Sequence, residues 1–360
     1  MQQESNKIKN IVITGVTGQD GSYMADYLLA NTPHRIYGMV RRTAKPDFSN
    51  IKEALKNPRF SIVTGDLSDT HSIDTLVKEI NPDYFINLGA QSFVGASWKL
   101  GEQTLDVTGI GVYRCLEAIK KHTPKCKFYS AGSSEEWGKV VYSPQDEKHP
   151  LCPQSPYGAA KCLANHLVRV YRESYNLFAI HGHLFNHESE RRGAEFVSRK
   201  ITKGVARIAN AIKNGQNFDP IELGNLNAKR DWSHAKDFVE GIWLMLNQEK
   251  PESYVLSSNE THTVREFVEK AFAAASLYGN WGFCGEVIPE NEVFTLSTGE
   301  ILVRINPAFY RPAEVDILWG DSTRARAELD WKPKYTFDEL VKCMVDNDLS
   351  EISHESSKSV

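Results

Sequence analysis

Short apolar runs and helical patterns alternate along the first half of the chain. The apolar runs cover residues 9–14, 35–40, 60–64, 84–88 and 127–130. They have the length and continuity of strands that are buried on both faces. Between them, apolar residues recur at helical spacing, as at Ile73, Leu76, Val77 and Ile80. This alternation predicts an α/β fold with a Rossmann-type doubly wound parallel sheet, whose ligands bind at the carboxyl edge of the strands.

The pattern also suggests two domains. We expect residues 1–184 to form the sheet domain, with a return segment near 234–258. Residues 185–233 and 259–350 would form a smaller α/β domain that binds the substrate, and the helical positions Val264, Phe267, Val268 and Phe272 would lie in its core. Residues 351–360 are largely polar and are expected to be a flexible tail.

A glycine-rich turn, Gly15-Val-Thr-Gly18-Gln-Asp-Gly21, separates the first strand from the first helix. Glycines let the backbone approach a pyrophosphate, and a helix N-terminus supplies N–H donors. The second strand ends in Arg41-Arg42, where arginine suits a ribose 2′-phosphate better than a free hydroxyl. We therefore predict NADP rather than NAD. A turn without a ligand and a pair of solvated arginines are the plain alternatives.

Other cofactor candidates follow later strands. Asp66 could accept a hydrogen bond from the adenine amino group or cap a helix. The candidate cofactor-binding residues from this half of the chain are Gly15, Thr17, Gly18, Gln19, Asp20, Gly21, Arg41, Arg42, Asp66, Leu67, Leu88, Ala90, Gln91 and Ser92.

Tyr157 and Lys161 stand four residues apart in a predicted helix that begins at Pro156. This spacing places both side chains on one helix face, where a lysine ammonium is expected to lower the pKa of the tyrosine. A tyrosinate can take a proton from a sugar hydroxyl. Upstream, Ser133 and Glu135 follow a strand at the same sheet edge. The alternative for an isolated pair of this kind is a surface Tyr and Lys on an amphipathic helix.

Composition narrows the functional classes. The 360 residues carry a net charge of −4, which argues against nucleic acid as a partner. No apolar run approaches the ~20 residues of a membrane span, and the first residues lack the apolar core of a signal peptide. The six cysteines form no C-x-x-C pair, so we expect a cytoplasmic protein without a metal site.

The motifs together resemble those of the GDP-mannose 4,6-dehydratase family within the extended short-chain dehydrogenase/reductase superfamily. The resemblance rests on residues 14–23, 41–42, 87–92, 134–135, 155–161, 184–189, 191–193, 196–201, 223–225, 229–232, 234–237 and 310–316. The segments 186–189 and 229–237 are the most specific to the family. The resemblance implies NADP as cofactor, a GDP-sugar as substrate and a hydro-lyase reaction.

The resemblance also assigns roles to residues of this chain. The implied catalytic residues are Ser133, Glu135, Tyr157 and Lys161, and Tyr157, Lys161, His187 and Arg192 would also contact the cofactor. The implied substrate-binding residues are Ser92, Glu135, Asn186, Val197, Lys200, Leu223, Gly224, Lys229, Arg230, Arg311 and Glu314. The cations among them suit a nucleoside diphosphate, although scattered cations are often only solvated.

The implied reaction is an internal transfer of hydride from C4 to C6 of the sugar. Tyr157 takes the C4 hydroxyl proton while hydride passes to NADP. Glu135 then removes the C5 proton and protonates the departing C6 hydroxyl. Ser133 hydrogen-bonds the C4 oxygen, and the hydride returns to C6.

Some residues depart from the family pattern, namely Glu136, Trp137, Glu190 and the segment 43–52. Glu136 could point to the far side of the sheet or perturb the site. The departures leave open the same chemistry on another GDP-sugar, such as GDP-manno-heptose. A sugar-nucleotide epimerase or 4-reductase, and a non-catalytic NADP-binding sensor, are further alternatives. We expect a homodimer formed through helices around residues 100–121 and after Tyr157, or a homotetramer.

Overall fold

The computed structural model describes residues 7–311 and 313–358, with side chains as far as His354. The strands are β1 Asn10–Thr14, β2 Arg35–Val40, β3 Phe60–Thr64, β4 Tyr84–Asn87, β5 Lys127–Ala131, β6 Ala179–Leu184, β7 Asn186–Glu188, β8 Ile221–Leu223, β9 Lys229–Arg230, β10 Trp232–His234, β11 Val255–Leu256, β12 His262–Thr263, β13 Gly279–Phe283, β14 Glu292–Leu296, β15 Ile301–Ile305 and β16 Ile317–Leu318. Across the described residues, no helix combines the length and apolar character that a bilayer span requires.

The helices connect these strands. They are α1 Gln19–Asn31, α2 Thr70–Ile80, α3 Val94–Ser97, α4 Gly101–Thr104, α5 Gly111–His122, α6 Pro156–Tyr175, α7 Val197–Lys213, α8 Ala235–Leu246, α9 Val264–Ala274, α10 Thr323–Leu329 and α11 Phe337–Lys358. A π-helical segment, Leu105–Ile110, joins α4 to α5, so the helix predicted around residues 100–121 changes its hydrogen bonding midway.

The central sheet confirms the predicted doubly wound fold. Its seven strands have the order β11-β6-β5-β4-β1-β2-β3, and every adjacent pair is parallel. The order reverses between β1 and β4, which creates a crevice at the carboxyl edge. Two apolar layers hold the helices on the sheet. One contains Leu28 of α1 and Phe238 of α8, and the other contains Leu116 of α5 and Val168 of α6.

A separate core lies in the second half of the chain. It contains Ile201 and Val205 of α7, Phe267 of α9, Val303 of β15 and Leu340 of α11. These elements surround the sheet β13-β14-β15-β8 and the sheet β12-β9-β16. The domain division at residue 184 stays a proposal, and this separate core supports it because each domain needs a core of its own.

Two segments have local structure that the sequence pattern did not show. The segment 186–193 begins with β7, which pairs in parallel with β10 and so satisfies its backbone groups. Residues 351–358 of the expected tail belong to α11, which continues to Lys358, and the flexibility of this tail stays a proposal. An ion pair between Arg199 and Glu351 at 3.8 Å ties the start of this segment to α7. Residues 359 and 360 lie outside the described residues.

Candidate functional site

A cleft of about 1180 Å³ opens between the carboxyl edge of the central sheet and the second half of the chain. Strand ends and the first turn of α1 form one side, which we call the cofactor wall. Residues of α7, β8 and β9 and the segment 308–314 form the other side, which we call the substrate wall. The volume lies slightly above the range of roughly 300–1,000 Å³ that is typical of small-molecule sites, so the cleft can hold more than one small ligand.

The glycine turn of the cofactor wall has room only for glycine at two positions. Gly15 has φ +67°, a backbone conformation that L side chains rarely adopt. A Cβ on Gly21 would lie 2.3 Å from the Gly15 carbonyl oxygen and 2.6 Å from Val16 Cα. Gly18 precedes α1 and has no side chain to cap the helix, so N–H groups of the first turn remain available to a ligand. The turn therefore fits the pyrophosphate of a dinucleotide.

An ion pair joins β7 to α1 beside this turn. His187 Nε2 of β7 lies 2.9 Å from Asp20 Oδ2 of α1. Burial opposes the charge on Asp20, but His187 outweighs it and lowers the pKa of the carboxyl to about 2. Burial likewise opposes the imidazolium, yet Asp20 raises the pKa of His187 above its usual value. The two groups therefore hold each other in the charged state.

The four predicted catalytic residues meet at the end of β5. Ser133 caps the turn Ser134–Glu136, and its Oγ accepts a hydrogen bond from Glu135 N at 3.2 Å. Lys161 Nζ donates to the Ala131 carbonyl oxygen at 2.5 Å and lies 5.7 Å from the centroid of the Tyr157 ring. Because Ser155 caps α6 with a bond from Gly158 N at 3.0 Å, the helix begins at Pro156 and presents both side chains to the cleft.

The expected direction of the Tyr157 pKa was wrong. Burial raises the pKa of Tyr157 well above that of a free phenol, although its hydrogen bond with Ser133 acts in the opposite direction. Burial also lowers the pKa of Lys161 to about 8, against the carboxylates of Glu136 and Asp20. Desolvation disfavours both charged forms, and it outweighs the helix-face pairing that the sequence reveals.

Arginines of the substrate wall reach toward the turn Ser134–Glu136, which carries Glu135. Arg311 Nη1 lies 3.2 Å from Glu135 Oε1. Arg230 is buried, donates to the Val315 carbonyl oxygen at 2.8 Å and pairs with Glu314 at 3.4 Å. Lys200 Nζ stands 3.5 Å above the centroid of the Phe309 ring. Arg230, Arg311 and Lys200 therefore line the same cleft as the Glu135 carboxylate.

Most of the residues proposed from the sequence line this cleft. The exceptions are Arg42 and Lys229, which are both exposed and outside its lining. Both arginines follow the end of β2 at Val40, and Arg41 lines the cleft while Arg42 does not. Asn186 Oδ1 is buried beside the cleft without a hydrogen-bond partner. Individual roles for all these residues remain proposals.

Sequence reasoning missed several lining residues. They are Trp98, Lys99, Gln103, Asn225, Phe309 and Tyr310. The first three lie in or next to a predicted helix that bore no motif, so no local signal marked them. Phe309 and Tyr310 are two exposed aromatics directly before Arg311, and that position is a signal that could have found them.

The family model described as GDP-mannose 4,6 dehydratase matches residues 12–344. The chain is 46% identical over 356 residues to the GDP-mannose 4,6 dehydratase of Homo sapiens, which covers 96% of this chain and 93% of the human protein. It is 47% identical over 350 residues to that of Cricetulus griseus, covering 95% and 91% of the two chains.

A solved structure supports the fold independently. A dTDP-glucose 4,6-dehydratase from Streptomyces venezuelae, with NAD bound, superposes with a TM-score of 0.79 at 18% identity. The match covers 96% of this chain and 98% of that one. The sheet order and the glycine turn agree with the sequence matches, which extend over nearly the whole chain. The chain therefore belongs to the GDP-mannose 4,6 dehydratase family.

Proposed function

We propose that the protein converts GDP-mannose to GDP-4-keto-6-deoxymannose with NADP as cofactor. The observation that carries the proposal is the position of Glu135. Its carboxyl group lines the same cleft as the Tyr157–Lys161 pair and the glycine turn. A reductase or an epimerase needs the Tyr157–Lys161 pair and the glycine turn. A dehydratase also needs a group that removes the C5 proton and then protonates the leaving hydroxyl.

The cofactor wall fits a dinucleotide phosphate. The N–H groups after Gly18 would hold the pyrophosphate, Arg41 the 2′-phosphate and Asp66 the adenosine end. Bound NADP supplies a hydride acceptor for C4 of the sugar and a hydride donor for C6.

Tyr157 and Ser133 would hold the C4 oxygen of the sugar. At neutral pH the buried phenol is protonated, so it becomes a base only when further positive charge enters the cleft. Lys161 supplies part of that charge while it stays protonated. Ser133 positions the oxygen through the same hydroxyl that accepts from Glu135 N.

Glu135 would act as base and then as acid. Its ion pair with Arg311 means that a diphosphate arriving at Arg311 competes for the same guanidinium. The Glu135 carboxylate is then left to the sugar. Arg230 and Lys200 would complete the diphosphate site.

The alternative GDP-sugar finds no support in the cleft. Glu136 and Trp137 are buried, Glu190 bonds Tyr23 OH at 2.5 Å, and none of the three lines the cleft. The departures that suggested GDP-manno-heptose therefore do not reshape the sugar site directly.

The test uses GDP-mannose deuterated at C4 and the variant Glu135→Gln. We expect the parent protein to give a product that has lost one water and carries deuterium at C6, as read by mass spectrometry and NMR. Glu135→Gln should lower the rate of product formation roughly 1,000-fold because proton transfer is lost. Glu195→Gln, at an exposed position of the same cleft, is the control. A parental rate for Glu135→Gln, or a product that keeps its water, contradicts the proposal.

We further propose a cytoplasmic homodimer, with a homotetramer as the alternative. Exposed apolar side chains cluster on the helices between residues 105 and 175, at Leu105, Ile110, Tyr113, Val170 and Tyr175. Sedimentation of the parent and of Tyr113→Glu would show whether this surface joins two copies.

A further inference from the structure

Glu136 is a fully buried carboxylate directly behind the catalytic turn. Its Oε1 accepts hydrogen bonds from Ser133 N at 2.8 Å and from His181 Nε2 at 2.9 Å. Its Oε2 accepts from Asn165 Nδ2 at 3.0 Å. The side chain has no exposed surface and lies outside the lining of the cleft. An acidic residue almost never takes such a position unless its charge is compensated.

Strand β6 places two histidines beside Glu136, although burial lowers the pKa of His183 to about 4 and leaves that ring uncharged at neutral pH. His181 and His183 are two residues apart, so both side chains point to the same face of the sheet. His183 Nδ1 lies 3.8 Å from Glu136 Oε2, and the His183 ring stacks on Trp137 with centroids 5.4 Å apart. Burial opposes the charge on Glu136, but His181 and His183 lower the pKa of the carboxyl to about 2. Glu136 is therefore ionised at neutral pH.

The carboxylate fixes the backbone of the turn. A Cβ added to Gly132 would lie 2.7 Å from Glu136 Oε1 and 2.5 Å from His181 Nε2, so the main chain rests against this pair. The bond to Ser133 N closes a capping box in which Ser133 and Glu136 bond each other's backbone. Ser133 and Glu135, which face the cleft, both depend on the conformation of that turn.

The carboxylate also lies close to the lysine of the Tyr157–Lys161 pair. Glu136 binds Ser133 N, and Lys161 Nζ donates at 2.5 Å to the carbonyl oxygen of Ala131, two residues before Ser133. Glu136 raises the pKa of Lys161 against the effect of burial, as does Asp20 of α1. The other titratable groups around Glu136 are Tyr129 of β5, Glu135 of the turn, Tyr157 and Cys162 of α6, and His181 and His183 of β6. After burial, Glu136 has the largest effect on the pKa of Lys161.

We propose that Glu136 is a positioning residue for the dehydration, which holds the Ser133–Glu135 turn in place and provides a fixed negative charge close to the Lys161 ammonium. This inference rests on the proposed function, since it assumes that Lys161 acts as an ammonium beside Tyr157. Asn165 and His181 serve Glu136 by occupying its remaining lone pairs.

A metal ion is the competing occupant of this cluster. Ligand atoms of Glu136, His181 and His183 lie within 4.8 Å of one another. The hydrogen bonds favour the charge network, because three donors already point at the two carboxylate oxygens. A divalent cation would also stand near the Lys161 ammonium, where like charges repel.

The experiment compares the pH dependence of kcat in the parent and in Glu136→Gln. Glutamine keeps an acceptor for Ser133 N but carries no charge. We expect the alkaline limb of the profile, where Lys161 loses its proton, to move about one unit to lower pH. Activity should fall about fivefold at pH 8 and recover toward the parent value near pH 6, with KM changed less than about twofold. A structural defect alone would not produce this recovery.

Asp237→Asn is the matched control, because Asp237 is also buried and accepts backbone bonds from Lys334 N and Tyr335 N, far from the turn. It should lower stability without moving the limb. If Glu136→Gln does not fold, Glu136→Asp keeps the charge and shortens the reach to Ser133 N, so kcat should fall while the limb stays at the parent pH. A limb that stays in place in Glu136→Gln, or a parental kcat in Glu136→Asp, overturns the proposal. So does one equivalent of tightly bound metal in the purified parent that is absent from His183→Gln.

A failure of the proposed function has a different signature. In that case the parent protein releases no dehydrated sugar at any pH. A failure of this inference leaves the parent active and changes only the profile of the Glu136 variant.

Discussion

The two walls of the cleft are built on different principles. The cofactor wall consists largely of backbone groups, namely the turn from Gly15 to Gly21 and the N-terminus of α1. The substrate wall consists of long side chains, and Arg230 and Arg311 come from segments 81 residues apart in the sequence. A backbone site is specified by a few adjacent residues. A side-chain site exists only after distant segments have packed together.

The difference has a consequence for mutation. Adding one methyl group to the cofactor wall meets main chain, which cannot move without shifting α1. Shortening an arginine of the substrate wall removes one charged contact and leaves the surrounding packing in place. We therefore expect substitutions in the glycine turn of the cofactor wall to reduce ligand binding more than substitutions in the substrate wall.

The largest effect is expected at Gly21. Gly21→Ala should weaken NADP binding about 100-fold or more and lower the melting temperature, because its Cβ would overlap the Gly15 carbonyl oxygen. Titration of the purified protein with NADP, followed by calorimetry, measures the affinity. The control is Gly282→Ala, where a Cβ would meet no atom within 4 Å. Parental affinity in Gly21→Ala would show that the turn does not depend on this close approach.

A smaller effect is expected at Arg311. Arg311→Gln should lower kcat/KM for the GDP-sugar roughly 10- to 100-fold, because one charge-assisted contact to a diphosphate is lost. Steady-state kinetics measure it. Arg304→Gln is the control, since Arg304 pairs with Glu222 and does not line the main cleft. Equal losses in both variants would indicate a general charge effect instead of a diphosphate site.

The ion pair between Asp20 of α1 and His187 of β7 should affect stability. Asp20→Asn removes the partner of His187, and the free energy of unfolding near pH 6 should fall by about 1–2 kcal/mol. In the parent, Asp20 contributes stability above pH ~4, which is lost as the pH falls toward 2. His187, whose pKa is raised, contributes below pH ~6.5 and loses that contribution as the pH rises through its folded pKa.

Urea unfolding at several pH values tests this window. Asp26→Asn is the matched control, because Asp26 also links α1 to the segment after β7, through Arg191 at 2.8 Å. Arginine does not titrate near neutrality, so this control should lose stability equally at pH 6 and pH 8. A parental dependence on pH above 6.5 in Asp20→Asn would rule out the His187 contribution.

The smallest effect is expected at the strand end. Arg41→Ala should reduce the preference for NADP over NAD about tenfold, because an exposed charge contributes about 1 kcal/mol to a phosphate contact. Arg42→Ala should leave the preference unchanged, since Arg42 lies outside the cleft lining. Fluorescence titration with both cofactors distinguishes the two arginines. A loss of preference in Arg42→Ala but not in Arg41→Ala would assign the 2′-phosphate contact to Arg42.

The sequence by itself determined the sheet, the glycine turn, the Tyr157–Lys161 face and the position of Glu135 after β5. Each of these depends on residues that are close in the chain and on a regular period of two or 3.6 residues. Binary pattern and turn chemistry are sufficient for such features. The strands β2 and β3 accordingly have the predicted bounds.

Only the tertiary structure decided which cations contact the turn Ser134–Glu136 and which of its two carboxylates is fully buried. Arg311 reaches Glu135 across 176 residues of sequence, and Glu136 is buried while its neighbour faces the cleft. The pKa directions of Tyr157 and Lys161 were also undecided, because they depend on how much water the folded chain removes. Desolvation and long-range packing act through distances in space, and a local pattern along the chain contains no record of those distances.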